Sequence, residues 1–333
     1  MKYFILLTLL FTINFSASAQ SNDLIKQGVD LHNKGKYTEA IDKFNEVLKT
    51  DPENPYANYE VAFSLYAAKR AKEATPYLDK AVRSDNKSLS VAAYCLQASI
   101  YDEANDHKKA IEIYNTAIQI NPDYPQIYYN LAIAQFGNRD YADAENSAIE
   151  AIKKNPKHPG SQRLYALVTF HQNKRANALL GLCSFLLLEP TGPRAAEAYG
   201  NIQHIIQGGV LTDDKGKNTI VLSATDQKET NTLNLGISMA VLSAKTKNLK
   251  GIDLFKSIFA LIGELSAKKT DKSFFDNFFA AYFYKLSQSN NMPAFTHTIT
   301  LTDKTIDNAK WAKEHTDQIT AMSEWLKSTE RKF

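Results

Sequence analysis

The sequence predicts an all-α protein, in which a solenoid of about five helix-turn-helix repeats precedes a C-terminal helical bundle. A small residue recurs at steps of 34, 36, 34 and 34 residues, at Ala40, Ala74, Ala110, Ala144 and Ala178. A proline stands twelve residues after four of these alanines, at Pro52, Pro122, Pro156 and Pro190. A period of about 34 residues is typical of stacked helix pairs, because each pair covers the apolar face that its neighbour leaves open. Such arrays usually present a surface to a partner, so the period favours an interaction protein.

The first repeat shows why the pattern predicts two helices. Leu24, Gly28 and Leu31 recur at helical spacing, and Gly35 follows them with the backbone freedom that ends a helix. The apolar face of the second helix comprises Ala40, Ile41, Phe44, Val47 and Leu48. Ala40 is small because the two helices approach closely there. Pro52 ends the second helix, since proline cannot continue it and restricts the residue before it.

Further features make these repeats resemble tetratricopeptide repeats. Tyr94 and Tyr128 stand where that family often has an aromatic residue in the first helix. The small residue where the two helices touch recurs at Gly28, Ala62, Ala98, Ala132 and Ala166, and segments 36–40 and 140–144 match the family's turn into the second helix. The resemblance implies a right-handed solenoid over residues 20–192. Its repeats are expected at 21–54, 55–88, 91–124, 125–158 and 159–192, with two extra residues between the second and the third.

The resemblance also implies a partner-binding groove, because the first helices of successive tetratricopeptide repeats line a concave face where peptides commonly bind. The inward positions of this chain are aromatic or apolar: Tyr59, Phe63, Tyr66, Tyr129, Ile133, Phe136 and Phe170. Asp102 and Glu103 add negative charge. The first repeat has Ile25 and Val29 on this face, and Arg163 alone does not make the family's clamp for a C-terminal carboxylate. We therefore expect a protein or peptide partner with an apolar or extended binding segment. The alternative is that a helix from the chain's own second half fills the groove.

The first 19 residues have the features of a cleaved secretory signal. Lys2 precedes a short apolar run from Tyr3 to Phe15, and Ala17 and Ala19 form an Ala-x-Ala cleavage site. A membrane anchor is the alternative, but the run is shorter than the roughly 20 residues that a spanning helix needs. The residue directly after the cleavage site is Gln20 rather than a cysteine, so a lipoprotein anchor is not indicated. We expect an exported protein, periplasmic or secreted, with no transmembrane segment after cleavage.

The charge of the chain bears on the class of its partner, and the positions of its cysteines bear on disulfide formation. The chain has 39 Lys and Arg against 36 Asp and Glu, a net charge of +3, which gives no reason to expect nucleic acid as a partner. Its two cysteines, Cys95 and Cys183, fall in the third and fifth repeats. Because a disulfide needs Cα atoms within about 7 Å, we expect two buried free thiols.

The C-terminal region, 193–333, is identified with no characterised family and predicts further helices. A loop is expected near 208–230, where Thr219–Ser223 resembles a short extended segment. Helical periodicity predicts helices over 194–207, 233–242, 252–265, 274–284, 294–301 and 305–328. The aromatic residues of 274–284 cover about half of the helix circumference, which favours the core of a bundle over an exposed partner or membrane surface.

Chemistry-bearing motifs are missing from the sequence. It has no phosphate-binding glycine loop, dinucleotide fingerprint, metalloprotease helix or Cys-x-x-Cys pair, and none of its seven histidines lies three or four residues from another. The sequence therefore predicts a non-enzymatic scaffold with no catalytic residue, cofactor or metal. One alternative is a glycan or small-ligand receptor, although Trp311 and Trp325 lie outside the predicted groove. The other is an enzyme with its site within 193–333.

Overall fold

The computed structural model describes residues 20–214, 217–249 and 251–333, so the predicted signal sequence over 1–19 lies outside the described residues. The chain divides into two compact units between Arg139 and Asp140, inside the fourth repeat, whereas the sequence pattern changes at residue 192. The first unit contains α1 (20–33), α2 (Tyr37–Thr50), α3 (Pro55–Ala67), α4 (Thr75–Ala81), α5 (Lys87–Glu103), α6 (His107–Ile120) and α7 (Pro125–Gly137).

The second unit continues the helix pairs and adds the C-terminal region. Its elements are α8 (Tyr141–Lys154), α9 (Pro159–His171), α10 (Arg175–Leu188), α11 (Pro193–Gln207), β1 (Val210–Thr212), β2 (Asn218–Ile220), α12 (Lys228–Thr246), α13 (Ile252–Ala267), α14 (Ala281–Ser287), α15 (Met292–Ile299), α16 (Asn308–Glu314) and α17 (Thr316–Ser328). The two strands pair antiparallel, with Val210 opposite Ile220, inside the segment that the sequence predicts as a loop.

Small residues of the first unit lie where paired helices touch. Ala40, Ala62 and Ala110 are fully buried. At Gly28 in α1, an added Cβ atom would lie 2.4 Å from the ring of Phe44 in α2. Real Cβ atoms do not approach other atoms so closely, so a side chain at this position would force the buried Phe44 ring to move. The recurring small residue is therefore a packing requirement.

A residue with left-handed backbone conformation follows the first helix of each repeat. Positive φ angles occur at Gly35, Lys69, Asn105 and Arg139 in the first unit and at Asn173 in the second. These positions have the same steps of 34, 36, 34 and 34 residues as the alanines. In the second repeat, the Arg70 amide donates to the carbonyl of Leu65 at 2.8 Å, which closes the helix end as a Schellman turn does.

The third repeat begins earlier than the sequence pattern predicts. Its first helix, α5, has 17 residues, whereas α3 and α7 have 13 each. The Asn86 side chain caps α5 by accepting hydrogen bonds from the amides of Ser88 and Leu89. The two extra residues between the second and third repeats are therefore accommodated by a longer helix that starts at Lys87 rather than at residue 91.

The central element of the second unit is α10. Eleven of its 14 residues are buried, and α9, α11, α12, α15 and the aromatic segment before α14 all pack on it. A helix that is apolar on every side is normally buried on every side. The second helix of the fifth repeat is therefore also the core helix around which the C-terminal region folds.

The aromatic segment predicted as one α-helix is π-helical over Phe275–Ala280 and continues as α14. Phe278, Phe279 and Phe283 are fully buried, so the expectation that this stripe forms a core is confirmed. The ring of Phe259 in α13 lies 4.9 Å from Phe283 and 5.3 Å from Phe295 of α15, measured between centroids. These rings join three helices of the bundle.

The prediction of a single helix over 305–328 is wrong. The chain forms α16 and α17, and His315 between them has a φ of −129°, outside the helical region. The His315 ring stacks on Trp311 with centroids 4.3 Å apart, and its Nδ1 lies 2.9 Å from the Trp311 carbonyl oxygen. No glycine or proline marks this break in the sequence.

Within the described residues, no helix combines the length and the apolar composition needed to cross a bilayer. Cys95 in the first unit and Cys183 in the second are both buried free thiols. Burial raises the pKa of Cys95 to about 12, so this thiol is protonated at neutral pH.

Candidate partner-binding surface

Three aromatic side chains lie along one face of α3, and we call them the aromatic row: Tyr59, Phe63 and Tyr66. Their spacing of four and three residues places them on the same side of the helix. The neighbouring Ala62 and Leu65 point into the core and are buried, whereas Phe63 is 36% exposed and the two tyrosines are half-buried. The row is thus a partly exposed surface feature of the first unit, and its two tyrosines also pack against the core.

The aromatic row extends onto α1 through His32. The Phe63 ring lies between two parallel neighbours, with its centroid 4.6 Å from that of His32 and 5.9 Å from that of Tyr59. The His32 Nδ1 lies 2.9 Å from the Ser64 hydroxyl, and the Tyr37 ring packs edge-on against the imidazole. Burial lowers the pKa of His32, so the imidazole is neutral at pH 7. The stacked rings of His32, Phe63 and Tyr59 are therefore uncharged and are held in place from both ends.

At its other end, the aromatic row meets an acidic site on α5. The Tyr66 hydroxyl donates a hydrogen bond to the Glu103 carboxylate, which leaves that carboxylate exposed on the surface. Burial, which is the larger cause, and the hydrogen bond to Glu103 together raise the pKa of Tyr66 to about 12. Asp102 is bonded to the His107 ring at 2.7 Å, and an added Cβ at Gly137 would lie 2.6 Å from that ring. The acidic end of the surface is therefore built from side chains in fixed positions.

The middle of the surface is formed by α5, which packs against α3 on one side and α7 on the other. Its residues there are small: Cys95 is buried, and the Ser99 hydroxyl lies 2.9 Å from that of Tyr114. On α7, three predicted groove residues share a face and are half-buried: Tyr129, Ile133 and Phe136. Two helices with bulky apolar side chains thus flank a helix with small ones.

The seventh predicted groove residue, Phe170, belongs to the second unit. It lies on α9 and is 36% exposed, with its ring 6.0 Å from that of His204 on α11. On the same helix, the Arg163 guanidinium pairs with Glu197 at 2.7 Å. This arginine therefore has an acidic partner within the second unit.

Sequence reasoning missed His32 as part of the surface. It assigned Ile25 and Val29 of α1 to the inward face but did not continue to the next inward position, residue 32. The spacing from residue 25 to 29 to 32 is the same as that from Tyr59 to Phe63 to Tyr66. Extending the register by one position would therefore have identified the imidazole that stacks on Phe63.

The fold and this surface define a class of protein: a helical-repeat module whose exposed face is suited to contact with other molecules. Among residues 20–214, 217–249 and 251–333, no three His, Cys, Asp or Glu side chains are grouped so that they could hold a metal ion.

Family models described as TPR repeat and tetratricopeptide repeat match residues 31–98, 98–138 and 129–184. Residues 31–184 are therefore tetratricopeptide repeats, which confirms the resemblance seen in the sequence.

Curated relatives share this repeat region. A TPR repeat-containing protein of Methanocaldococcus jannaschii is 27% identical over 133 residues, which is 40% of this chain and 23% of that protein. Tetratricopeptide repeat protein 6 of Homo sapiens is 26% identical over 133 residues, 40% of this chain and 25% of that protein. The chain thus spans about a quarter of the length of these relatives.

Solved structures match about half of this chain at low sequence identity. MamA from Desulfovibrio magneticus RS-1 is 14% identical with a TM-score of 0.46, over 51% of this chain and 95% of that one. A thermophilic TPR protein of Thermus thermophilus is 17% identical with a TM-score of 0.45, over 56% of this chain and 98% of that one.

Proposed function

We propose that the protein is a non-enzymatic scaffold of the bacterial cell envelope that binds a protein or peptide on the face carrying the aromatic row. The observation that supports this most directly is Phe63, whose ring is fixed between two other rings yet is 36% exposed. Rigid exposed aromatic side chains are typical anchors of protein interfaces, because they bury much apolar area and lose little conformational entropy. Tetratricopeptide repeats are in general non-catalytic interaction modules, which agrees with this function.

The chemistry of the surface indicates the kind of partner. Apolar side chains of a bound segment would pack on Phe63 and Tyr59, and its polar groups would meet the tyrosine hydroxyls. The exposed Glu103 carboxylate, at the end of the row, would favour a basic residue of the partner there. An extended or helical segment with apolar residues followed by Lys or Arg fits this arrangement.

The proposed location in the cell envelope depends on residues 1–19, whose sequence has the order of charge, apolar run and Ala-x-Ala site of a secretory signal. Cleavage after Ala19 would give a mature chain that begins at Gln20. Intact-mass measurement of the protein purified from the periplasm and from the culture medium tests cleavage and distinguishes the two destinations.

Site-specific photocrosslinking in living cells tests the binding face. A photoreactive amino acid at position 63 or 136 is expected to crosslink a specific protein, whereas the same group at position 108, exposed on α6, is not. A partner crosslinked equally from all three positions would contradict the proposal. Crosslinks only to residues 193–333 of the same chain would show instead that this chain covers its own surface.

The glycan-receptor alternative is weakened by the surroundings of both tryptophans. Sugar recognition by stacking needs an open aromatic face, but the rings of His297 and His315 stack on Trp311 with centroids 4.2 and 4.3 Å away. The Trp325 ring lies 5.0 Å from that of Tyr282. Both indoles therefore contribute to packing within the second unit.

The enzyme alternative would need an acid or base available for substrate, and the buried carboxylate of the C-terminal region does not meet this need. Asp276 accepts hydrogen bonds from Lys269 at 2.8 Å and from the Ser273 amide and hydroxyl, and a further one from Ser266. Burial alone would raise the pKa of Asp276, but these bonds outweigh it and lower the pKa. A carboxylate bonded in this way joins α13 to the π-helical segment and is structural.

A further inference from the structure

A buried arginine begins α10, at the centre of the second unit. Arg175 is only 7% exposed. Its backbone amide donates to the Asn234 side chain at 3.1 Å, so the start of α10 is held against α12. A buried guanidinium is costly unless its charge and its five N–H groups are compensated.

The guanidinium of Arg175 is compensated only in part. Its Nη atoms donate to four neutral oxygens: the Ser238 hydroxyl at 3.0 Å and the carbonyls of Ile205 at 2.8 Å, Asn234 at 3.4 Å and Gly208. The remaining donor, Nε, is buried and has no hydrogen-bond partner. Within the described residues no carboxylate forms an ion pair with Arg175. Asp226, at the same end of α10, instead accepts a hydrogen bond from the Asn173 side chain.

Arg175 lines a cavity of about 360 Å³. Polar side chains on its wall are Asn173, Ser223 and Asn234, and the rest of the wall comes from Gly209 and three apolar residues of the hairpin segment. These three, Leu211, Val221 and Leu222, are 64%, 48% and 41% exposed, although isolated apolar side chains of this size gain from burial. The cavity thus combines a buried positive charge with an apolar entrance.

Gly209 allows the chain to pass directly over the guanidinium. Its φ is +75°, and an added Cβ would lie 2.3 Å from Nη1 of Arg175. The hairpin can therefore begin in contact with the arginine only if residue 209 has no side chain. This contact places the apolar hairpin residues beside the charge.

We propose that this cavity, the Arg175 pocket, binds a carboxylate that carries an apolar substituent. A ligand carboxylate in this cavity would lie beside Arg175 and neutralise its buried charge, and this attraction strengthens in a site of low dielectric constant. The N-terminus of α10 adds positive potential at the same place. The substituent would pack on Leu211, Val221 and Leu222, which would bury their exposed apolar surface. The pocket lies in the second unit and uses none of the proposed partner-binding residues of the first.

Calorimetric titration of the full mature chain tests this proposal with N-acetyl-leucine and with its neutral amide as probes. The acid is expected to bind, and the amide about tenfold more weakly or not at all, because a hydrogen bond between charged groups is lost. Equal binding of acid and amide would overturn the proposed role of the Arg175 charge. Failure of both probes to bind would overturn the proposed pocket.

A second pair of probes distinguishes the source of the carboxylate. A hexapeptide ending in leucine is titrated with a free and with an amidated C-terminus. Binding of the free peptide, together with the acid, supports recognition of a chain terminus. Binding of N-acetyl-leucine without the peptide supports a free organic acid.

Variants at the entrance avoid the risk that Arg175 substitutions prevent folding. Leu222→Asp places a negative charge at the pocket and is expected to weaken N-acetyl-leucine binding by about tenfold or more. Met239→Asp is the matched control, since Met239 is an apolar residue that is 55% exposed on α12 and does not line the pocket. An equal effect of both substitutions, or of neither, would overturn the proposed location.

Discussion

The guanidinium carbon of Arg331 lies 4.0 Å from the ring centroid of Tyr282. The rings of Phe278 and Phe279 are 4.9 and 5.8 Å away, and the Ser184 hydroxyl on α10 accepts a hydrogen bond from the same guanidinium. A cation over several desolvated rings is bound more strongly than one at the surface. Arg331 therefore helps to anchor the segment after α17 to the aromatic core of the second unit, on which the Phe333 ring also stacks, 5.4 Å from that of Phe278.

Replacement of this anchor is expected to destabilise the second unit. Arg331→Ala removes the cation–π contacts and the bond to Ser184, and we expect a loss of about 1–3 kcal/mol in the free energy of unfolding. Arg331→Lys should recover only part of the loss, because an ammonium group cannot stack as a planar guanidinium does. Chemical denaturation checks both, with Lys332→Ala, an exposed neighbour, as the control. Wild-type stability of the Lys variant would contradict the role of stacking, and equal stability of the Ala and Lys variants would contradict the contribution of the charge.

Two glycines with open space around them should respond oppositely to the same substitution. An added Cβ meets no atom within 4 Å at either Gly35 or Gly200, so neither substitution creates a clash. Gly35 has a φ of +75°, which costs an L-residue about 1–2 kcal/mol, whereas Gly200 lies within α11. Gly35→Ala should therefore destabilise by about 1 kcal/mol, and Gly200→Ala should stabilise by about 0.5–1 kcal/mol. Urea denaturation measures both, and a common sign would contradict the backbone argument.

The register of the repeats can be tested at Ala110. This residue is fully buried within the third helix pair, beside Tyr114 and Ala98. Ala110→Leu adds three carbon atoms to a filled core and should cost about 1–3 kcal/mol of unfolding free energy. The same change at Ala196, which is exposed on α11, should alter stability by less than about 0.5 kcal/mol. An unchanged melting temperature of Ala110→Leu would show that the small residue is not required.

The period of the sequence predicted most of the repeat architecture because each repeat has to satisfy the same packing. At position 28, for example, the residue has to be small because the ring of Phe44 in the partner helix lies directly against it. The left-handed turn is harder to read from the sequence, since Gly35, Asn105 and Asn173 have residue types that favour this conformation, whereas Lys69 and Arg139 do not. Lys69 and Arg139 adopt this conformation because neighbouring repeats fix the geometry of the turn, which overrides the preference of the residue.

The C-terminal region was less predictable because its structure depends on contacts distant in sequence. Position 315 carries no glycine or proline, so the break between α16 and α17 has no marker in the sequence. The role of α10 was visible in principle, since the run from Ala176 to Leu188 is apolar on every side. For the candidate surface, the sequence predicted the aromatic positions, but only the structure shows that Phe63 stacks on His32.

Protonation of His32 should weaken the first unit. Because burial lowers the pKa of His32 in the folded state below the unfolded value of about 6.5, the folded protein favours the neutral imidazole. The contribution of this group is therefore complete above about pH 6.5 and is lost as the pH falls through the folded pKa. The stability difference between the wild-type protein and His32→Gln should shrink between pH 7.5 and 5. Denaturation curves of the two proteins measure this, and a difference independent of pH would contradict the prediction.

Removal of the Phe63 and Phe136 rings should weaken partner binding while the protein remains folded. Phe63→Ala with Phe136→Ala removes one aromatic side chain from α3 and one from α7, and neither residue is fully buried. We expect the crosslink to the partner from position 59 to fall by about tenfold or more, since anchors of this kind contribute about 2 kcal/mol or more to binding. Circular dichroism should remain helical, with a loss of stability below about 3 kcal/mol for the pair. Tyr77→Ala, at a half-buried aromatic residue on α4, is the control for loss of a ring elsewhere in the unit. Unfolding of the double variant would show that these rings belong to the core, and unchanged crosslinking would show that the partner binds elsewhere.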